Sequence, residues 1–211
     1  MEFEFKKYWR KTSLKKKKDG NFLLNHIKKH KPKNFLEIGV FHGVTSRNVC
    51  ELLYLLHGEK FKFTGIDLFF NNDDEIEKDE YAPKNTFSNP LKTIYYQYIV
   101  RLNPYSLDAV EKLLRKFKDN IKIIKGDSKD ILKDINVGEF DYVFLDAGHK
   151  YETVQNDLKN LIQVVNNNGI ILSDDYNLTY APGVKKAIDE YIFKNNFKLN
   201  VLHSRFAEIT K

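Results

Sequence analysis

The sequence predicts an α/β domain built on a mostly parallel sheet that finishes in an antiparallel hairpin. Three observations carry this prediction. A strand, a tight turn and a helix open at Asn34-Phe-Leu-Glu-Ile-Gly-Val-Phe-His-Gly-Val-Thr-Ser-Arg47. Short apolar runs then alternate with amphipathic helical stretches as far as Leu172. Two closing β-rich runs, Phe197 to Leu202 and Phe206 to Ile209, are joined only by His203-Ser-Arg205. Strand and helix in alternation imply parallel pairing through right-handed crossovers, whereas so short a connection permits only antiparallel pairing.

Residues 1–33 read as an N-terminal helical appendage. Phe22, Leu23, Leu24 and Ile27 recur at helical spacing. Lys28, Lys29 and His30 fill the last turn before Pro32, where positive charge suits a helix C-terminus. This helix is expected on the domain edge or near the mouth of a ligand site. The domain proper, 34–211, begins with Phe35, Leu36 and Ile38, a strand buried on both faces with Glu37 as its one polar interruption. Gly39 and Gly43 punctuate the turn, and the following helix, Val44 to Leu56, carries Val49, Leu52, Leu53 and Leu56 on one face and stops at Gly58. Its first turn directs unpaired N–H groups at whatever occupies the turn.

Phe61 to Ile66 is the second strand and ends in Asp67. From about 69 to 105 the alternation stops. The acidic Asn71–Glu80 and the turn-rich Tyr81–Pro90 precede a short aromatic helix, Thr93 to Leu102, with Tyr95, Tyr96 and Tyr98. So long an insertion is expected to be a lid or substrate-recognition element, the rival being a family-specific surface. Leu107 to Phe117 resumes a regular helix, with Asp108 in its first turn. Ile121 to Ile124 is the third strand; Asp127 and Ser128 after it are either ligand contacts or a cap for a helix over Lys129 to Asp134. Phe140 to Leu145 is the fourth strand and leads into Asp146-Ala-Gly-His149-Lys-Tyr151-Glu152 and a helix from Thr153 to Val165. Gly169 to Leu172 is the fifth, ending in Ser173-Asp174-Asp175-Tyr176, and Pro182-Gly183 starts the last helix, through Ile192.

At 211 residues the chain is expected to be one domain, able to bury roughly 70% of its unfolded surface. Its 35 basic residues face 29 acidic ones, and the excess includes the run Lys15 to Lys18 near the N-terminus. Such a run is usually a solvated face, so nucleic-acid binding is disfavoured but stays open. The single Cys50 excludes an internal disulfide framework and a cysteine-based metal cluster, and its place on the first domain helix suits a buried thiol. No apolar stretch reaches the roughly 18 residues of a membrane span and the first residues do not form a signal peptide, so a cytoplasmic location is the expectation. A homo-oligomer stays open.

The chemistry gathers at the strand ends. The spacing Gly39-x-x-x-Gly43, with Phe41 at the middle glycine position of a dinucleotide fingerprint, disfavours close pyrophosphate approach. Asp67 stands where an acid accepts hydrogen bonds from ribose hydroxyls, or is an ordinary strand-end acid. The carboxyl ends of the fourth and fifth strands should bring Asp146, Asp174 and Asp175 together. Uncompensated carboxylates repel, so a cation is expected among them, and all-oxygen ligands suit Mg²⁺. The same acids are alternatively contacts for a ligand ammonium group or helix caps. His149, three residues past Asp146, is a candidate general base or further ligand, against the blander reading of a solvated loop histidine. His42 reads as a loop contact rather than a base.

Phe35-Leu-Glu-Ile-Gly, Gly65-Ile-Asp67, Gly126-Asp127-Ser128, Phe140 through Glu152, Asp157-Leu158 and Gly169-Ile-Ile-Leu-Ser-Asp-Asp-Tyr176 together resemble the class I S-adenosylmethionine (SAM)-dependent methyltransferases, in particular the group found with sugar and natural-product biosynthesis. Asp146-x-x-His149-x-Tyr151-Glu152 and Asp174-Asp175-Tyr176 are the most specific part. The resemblance covers 34–211 and implies a Rossmann-like, mostly parallel seven-stranded sheet with a C-terminal antiparallel hairpin. It implies SAM held by Glu37, Gly39, Gly43, Ser46, Asp67, Asp127, Ser128 and Asp146, with Asp127 and Ser128 facing the adenine. It further implies Mg²⁺ on Asp146, Asp174 and Asp175, and O-methylation with His149 and Asp146 as catalytic residues. The resemblance assigns no counterpart to the 69–105 insertion.

The function expected is therefore metal-assisted, SAM-dependent O-methylation of a small hydroxylated acceptor such as a sugar or sugar nucleotide. Two rivals are an RNA methyltransferase using the basic N-terminal segment and a non-catalytic module binding SAM or a related nucleoside.

Overall fold

A computed structural model of the protein describes residues 3–69 and 89–211. Most of the expected lid, including the acidic stretch Asn71–Glu80, lies outside the described residues. The strands are β1 (Asn34–Ile38), β2 (Lys62–Asp67), β3 (Ile121–Lys125), β4 (Phe140–Leu145), β5 (Val165–Ser173), β6 (Lys198–Leu202) and β7 (Phe206–Thr210). They form one sheet in the order β3-β2-β1-β4-β5-β7-β6. β1 to β5 pair in parallel, and β7 runs antiparallel between β5 and β6. The predicted Rossmann-like architecture is the observed one. Strand order reverses between β1 and β4, which opens a crevice above their carboxyl ends.

The helices are α1 (Lys17–His30), α2 (Val44–His57), α3 (Pro90–Ile94), α4 (Leu107–Leu114), α5 (Ser128–Ile131), α6 (Tyr151–Val164) and α7 (Pro182–Asn195). Side-chain alternation sorts the strands between two core layers. Phe35, Tyr142, Phe144 and Phe206 pack with Leu23, Leu24 and Ile27 of α1 and Val49, Leu52 and Leu53 of α2. Leu36, Ile38, Val143, Leu145 and Ile209 face Leu158 and Leu161 of α6 and Val184 and Ile188 of α7. Burying each large apolar side chain contributes about 1.5–3 kcal/mol, so α1, expected as an appendage, is bound to the sheet by the same means as α2. Cys50 is the buried thiol expected.

Some boundaries differ from expectation for local reasons. β5 begins at Val165, because Asn166, Asn167 and Asn168 extend it with polar side chains that carry no apolar signal. The aromatic helix expected over Thr93 to Leu102 is divided. Asn89 caps α3 by accepting from Leu91 N–H, Pro90 fixes its first turn, and a π-helical turn, Tyr95–Val100, follows. No helix among the described residues is long and apolar enough to cross a membrane.

Candidate active site

The turn after β1 is fixed by a close approach of two backbones. Gly39 has φ 91°, and a Cβ there would lie 1.9 Å from the Asp146 carbonyl oxygen, so only glycine fits. Asp146 N–H donates to Ile38 O at 2.9 Å, and Asp174 N–H donates to Leu145 O at 2.9 Å. These bonds continue the β1-β4-β5 ladder past its last residues and set Gly39, Asp146 and Asp174 on one rim. Gly43, with φ 72°, is the residue from which α2 starts.

Glu37 is fully buried on β1, where its Oε2 accepts from Ser46 Oγ of α2 at 2.5 Å. Its Oε1 has no hydrogen-bond partner among the described residues. A buried acceptor left without a donor costs on the order of 1–3 kcal/mol unless something satisfies it. Burial, with the charge of Asp67 adding to it against the Ser46 hydrogen bond, pushes the Glu37 carboxyl up to about 8. A cationic donor placed against Oε1 would remove both penalties.

Asp67 is engaged at both oxygens. Oδ2 accepts from Phe41 N–H at 2.7 Å; Oδ1 accepts from Phe69 N–H at 3.0 Å and from the Tyr105 hydroxyl at 2.8 Å. The carboxylate thus closes the glycine turn and retains acceptor capacity beside Tyr105. Asp127 caps α5 by accepting from Lys129 N–H at 2.9 Å and pairs with Lys129 Nζ at 3.0 Å. Ser128 Oγ donates to Asp157 Oδ1 at 2.6 Å. Asp127 is therefore in the capping role that the sequence left open, while Ser128 ties α5 to α6. His42 is buried in the turn, its backbone oxygen accepting from Arg10 at 3.0 Å, and burial lowers its imidazole to about 3.

Asp146, Asp174 and Asp175 do converge, each offering an oxygen within 4.8 Å of the others. They are not uncompensated, and this corrects the expectation from sequence. Arg205, in the β6–β7 turn, grips Asp174 through Nε and through Nη2 at 2.6 Å, and reaches Asp175 Oδ1 at 3.2 Å. Its guanidinium supplies positive charge to Asp174 and Asp175. The register explains why: Ser173 pairs with Ala207, so the residue two before Ala207 falls beside the acids that follow Ser173. Ser13 Oγ donates to Asp146 Oδ2, bringing the segment before α1 onto the same rim.

The three acids are differentiated by their surroundings. Burial and the neighbouring Asp174 and Asp175 raise the Asp146 carboxyl well above the usual range. Burial raises Asp174 to about 6 despite its bonds to Arg205. Burial also pushes Asp175 upward, but a hydrogen bond from His149 and the charge of Arg205 outweigh it and lower this carboxyl. His149 Nε2 lies 2.8 Å from Asp175 Oδ2, and the Tyr180 hydroxyl donates to Asp175 Oδ1 at 3.0 Å. A neutral imidazole that donates Nε2–H to Asp175 carries its lone pair on Nδ1. The backbone of this histidine loop is seated against α7: a Cβ on Gly183 would lie 2.7 Å from His149 O.

The sequence reading did not find Arg205, Ser13, Tyr105 or Tyr180. Arg205 is placed by the register of β7 on β5 and the other three lie outside strands and helices, so none of them left a local signal. Lys15 to Lys18 are exposed, and Lys17 pairs with Glu4 at 2.7 Å. Beside the site, a cavity of about 470 Å³ runs along Tyr176, Leu178, Pro182 and Lys185, and none of the rim acids lines it.

Residues 36–176 match the family model described as a methyltransferase domain. No curated protein sequence matches the chain. Among solved structures, the SAH-bound methyltransferase PaMTH1 of Podospora anserina is 19% identical with a TM-score of 0.64, over 93% of this chain and 79% of that one. The O-methyltransferase NovP gives 19% and 0.64, over 92% and 78%. CalS11, a TDP-rhamnose 3'-O-methyltransferase of calicheamicin biosynthesis, gives 13% and 0.59, over 92% and 78%. At these identities the likeness is one of fold.

Proposed function

The chain belongs to the methyltransferase domain family, and from its site we propose a SAM-dependent O-methyltransferase acting on a small hydroxylated acceptor such as a sugar or sugar nucleotide. The observation that carries the cofactor reading is Glu37 Oε1, a buried carboxylate oxygen lacking a donor beside the Gly39 turn. SAM when bound supplies an electrophilic methyl group, and its ammonium is the kind of donor this oxygen lacks. In this reading Glu37 accepts from that ammonium while Gly39, Gly43 and Ser46 shape the wall around it. Asp67 accepts from a ribose hydroxyl, sharing the position with Tyr105, and Asp127 and Ser128 stand at the adenine end. Asp146, whose backbone abuts Gly39, lies between the cofactor and acceptor sides of the rim.

His149 would take the acceptor's proton at Nδ1 as the methyl group passes from the sulfonium sulfur to the acceptor oxygen, leaving SAH, and Asp175 would hold the imidazole in the required tautomer. Arg205 keeps the acid cluster close to neutral. Alignment of the reacting groups is the larger contribution to rate, as expected where the methyl donor is already activated. The O-methyl and sugar assignments are supported by the acids at the strand ends and by the activities named for NovP and CalS11.

The convergence of three carboxylates favours a second reading, in which Mg²⁺ is held by Asp146, Asp174 and Asp175. The oxygen donors suit that ion in kind, and it would supply Lewis acidity toward an acceptor hydroxyl. Arg205 must then give up part of its hold on Asp174. Both readings are tested by SAH release from SAM across a panel of sugars and sugar nucleotides. Hydroxyl-dependent release that falls at least about 100-fold in His149→Ala is the expected result. EDTA-resistant turnover assigns the counter-charge to Arg205, and loss restored by Mg²⁺ assigns it to the metal. SAM binding with no release on any hydroxylated acceptor would contradict O-methylation.

A further inference from the structure

A second convergence of ligating groups lies where α1 crosses the sheet, and it shares no residue with the acid cluster. His26 and His30 are one helical turn apart on α1, so both imidazoles project from the same face. Glu208 of β7 rises to meet them. His26 Nε2 is 2.8 Å from Glu208 Oε2, and His30 Nε2 is 3.9 Å from the same oxygen. One ligand atom from each of the three lies within 4.8 Å of the others. We propose that His26, His30 and Glu208 form a zinc site that ties α1 to β7.

The geometry suits that ion. Zn²⁺ bonds to imidazole nitrogen and carboxylate oxygen at about 2.0–2.2 Å, so ligand atoms in a tetrahedral site are about 3.3–3.6 Å apart. The two separations to Glu208 Oε2, 2.8 and 3.9 Å, fall on either side of that value. Two histidines at i and i+4 completed by a remote carboxylate are a familiar zinc arrangement, with a fourth position for water.

The outer groups can follow the ion. In the metal-free protein His26 Nε2–H donates to Glu208 Oε2 at 2.8 Å and the Tyr142 hydroxyl of β4 donates to Nδ1 at 2.8 Å; an ion on Nε2 would displace that proton and turn the hydroxyl into the acceptor of Nδ1–H. Asn200 Nδ2 donates to Glu208 Oε1 at 3.2 Å, leaving Oε2 as the converging atom. Burial lowers both imidazoles against the raising pull of Glu208. His26 is 8% exposed at its side chain and His30 30%, which gives the ion a route from solvent. Mixed nitrogen and oxygen donors favour zinc over Mg²⁺, which prefers oxygen throughout.

The test uses the full chain, stripped with a chelator and titrated with Zn²⁺ against a chromophoric competitor, with thermal melting in parallel. One equivalent bound, a melting temperature raised by Zn²⁺, and an affinity at least about tenfold weaker in both His30→Ala and Glu208→Gln are expected. His30 is partly exposed in the last turn of α1, so its variant should keep the fold. Asp174→Asn is expected to leave this zinc affinity unchanged. No binding by the wild type, equal binding by His30→Ala, or loss confined to Asp174→Asn would each overturn the assignment.

Discussion

At the scale of single residues, Glu37 and Gly39 make the sharpest demands. The Glu37 carboxyl is raised from 4.5 to about 8, so the folded protein binds this proton more tightly than the unfolded chain does. The associated stability is fully present below about pH 4.5 and is lost as pH rises through about 8. The unliganded protein is therefore expected to melt at progressively lower temperature across that window, with Glu37→Gln flattening the dependence. Equal slopes in the two proteins would contradict the environment described for Glu37. Gly39→Ala forces a Cβ to within 1.9 Å of the Asp146 carbonyl. The β1 and β4 ends must separate, and a loss of about 2–4 kcal/mol is expected by denaturant unfolding.

At the scale of elements, the β6–β7 hairpin matters most to the site because it delivers Arg205. Arg205→Met would leave buried Asp174 and Asp175 without their guanidinium, and a cost of about 3–5 kcal/mol is expected. If these acids also suit a divalent cation, Mg²⁺ should restore part of the lost melting temperature in the variant and change the wild type little. Absence of any Mg²⁺ effect in the variant would weigh against the metal reading. The same hairpin shows how far the sequence could be read. Strands and helices were legible because their apolar residues follow period 2 or 3.6, and Glu37, Asp67, Asp146 and Asp174 because each ends or interrupts such a run. Arg205 was not, since its role depends on Ser173 pairing with Ala207, a register that no local pattern records. Ser13 and Tyr105 reach Asp146 and Asp67 from irregular segments, where periodicity carries no information.

At the scale of the whole molecule, α1 and the chain before it pack on the sheet and its neighbouring loops. Arg10 reaches Ala109 O of α4 at 2.9 Å, Ser13 reaches Asp146, and Leu24 is 1% exposed among residues of the central strands. Leu24→Ala is expected to cost about 2–5 kcal/mol in a single unfolding transition. A separate early transition assigned to 1–33 would show instead that this segment is an independent appendage.

The claim on which the rest depends is that the crevice at the β1 and β4 ends receives SAM through Glu37. Calorimetric titration with SAM at pH 7, in buffers of different ionisation enthalpy, tests it most directly. An ammonium against Glu37 favours the ionised carboxylate, so wild-type binding should release close to one proton. Glu37→Gln should bind at least about tenfold more weakly and release none. Wild-type protein that fails to bind SAM, or binds it with no proton release and no dependence on Glu37, would contradict the account.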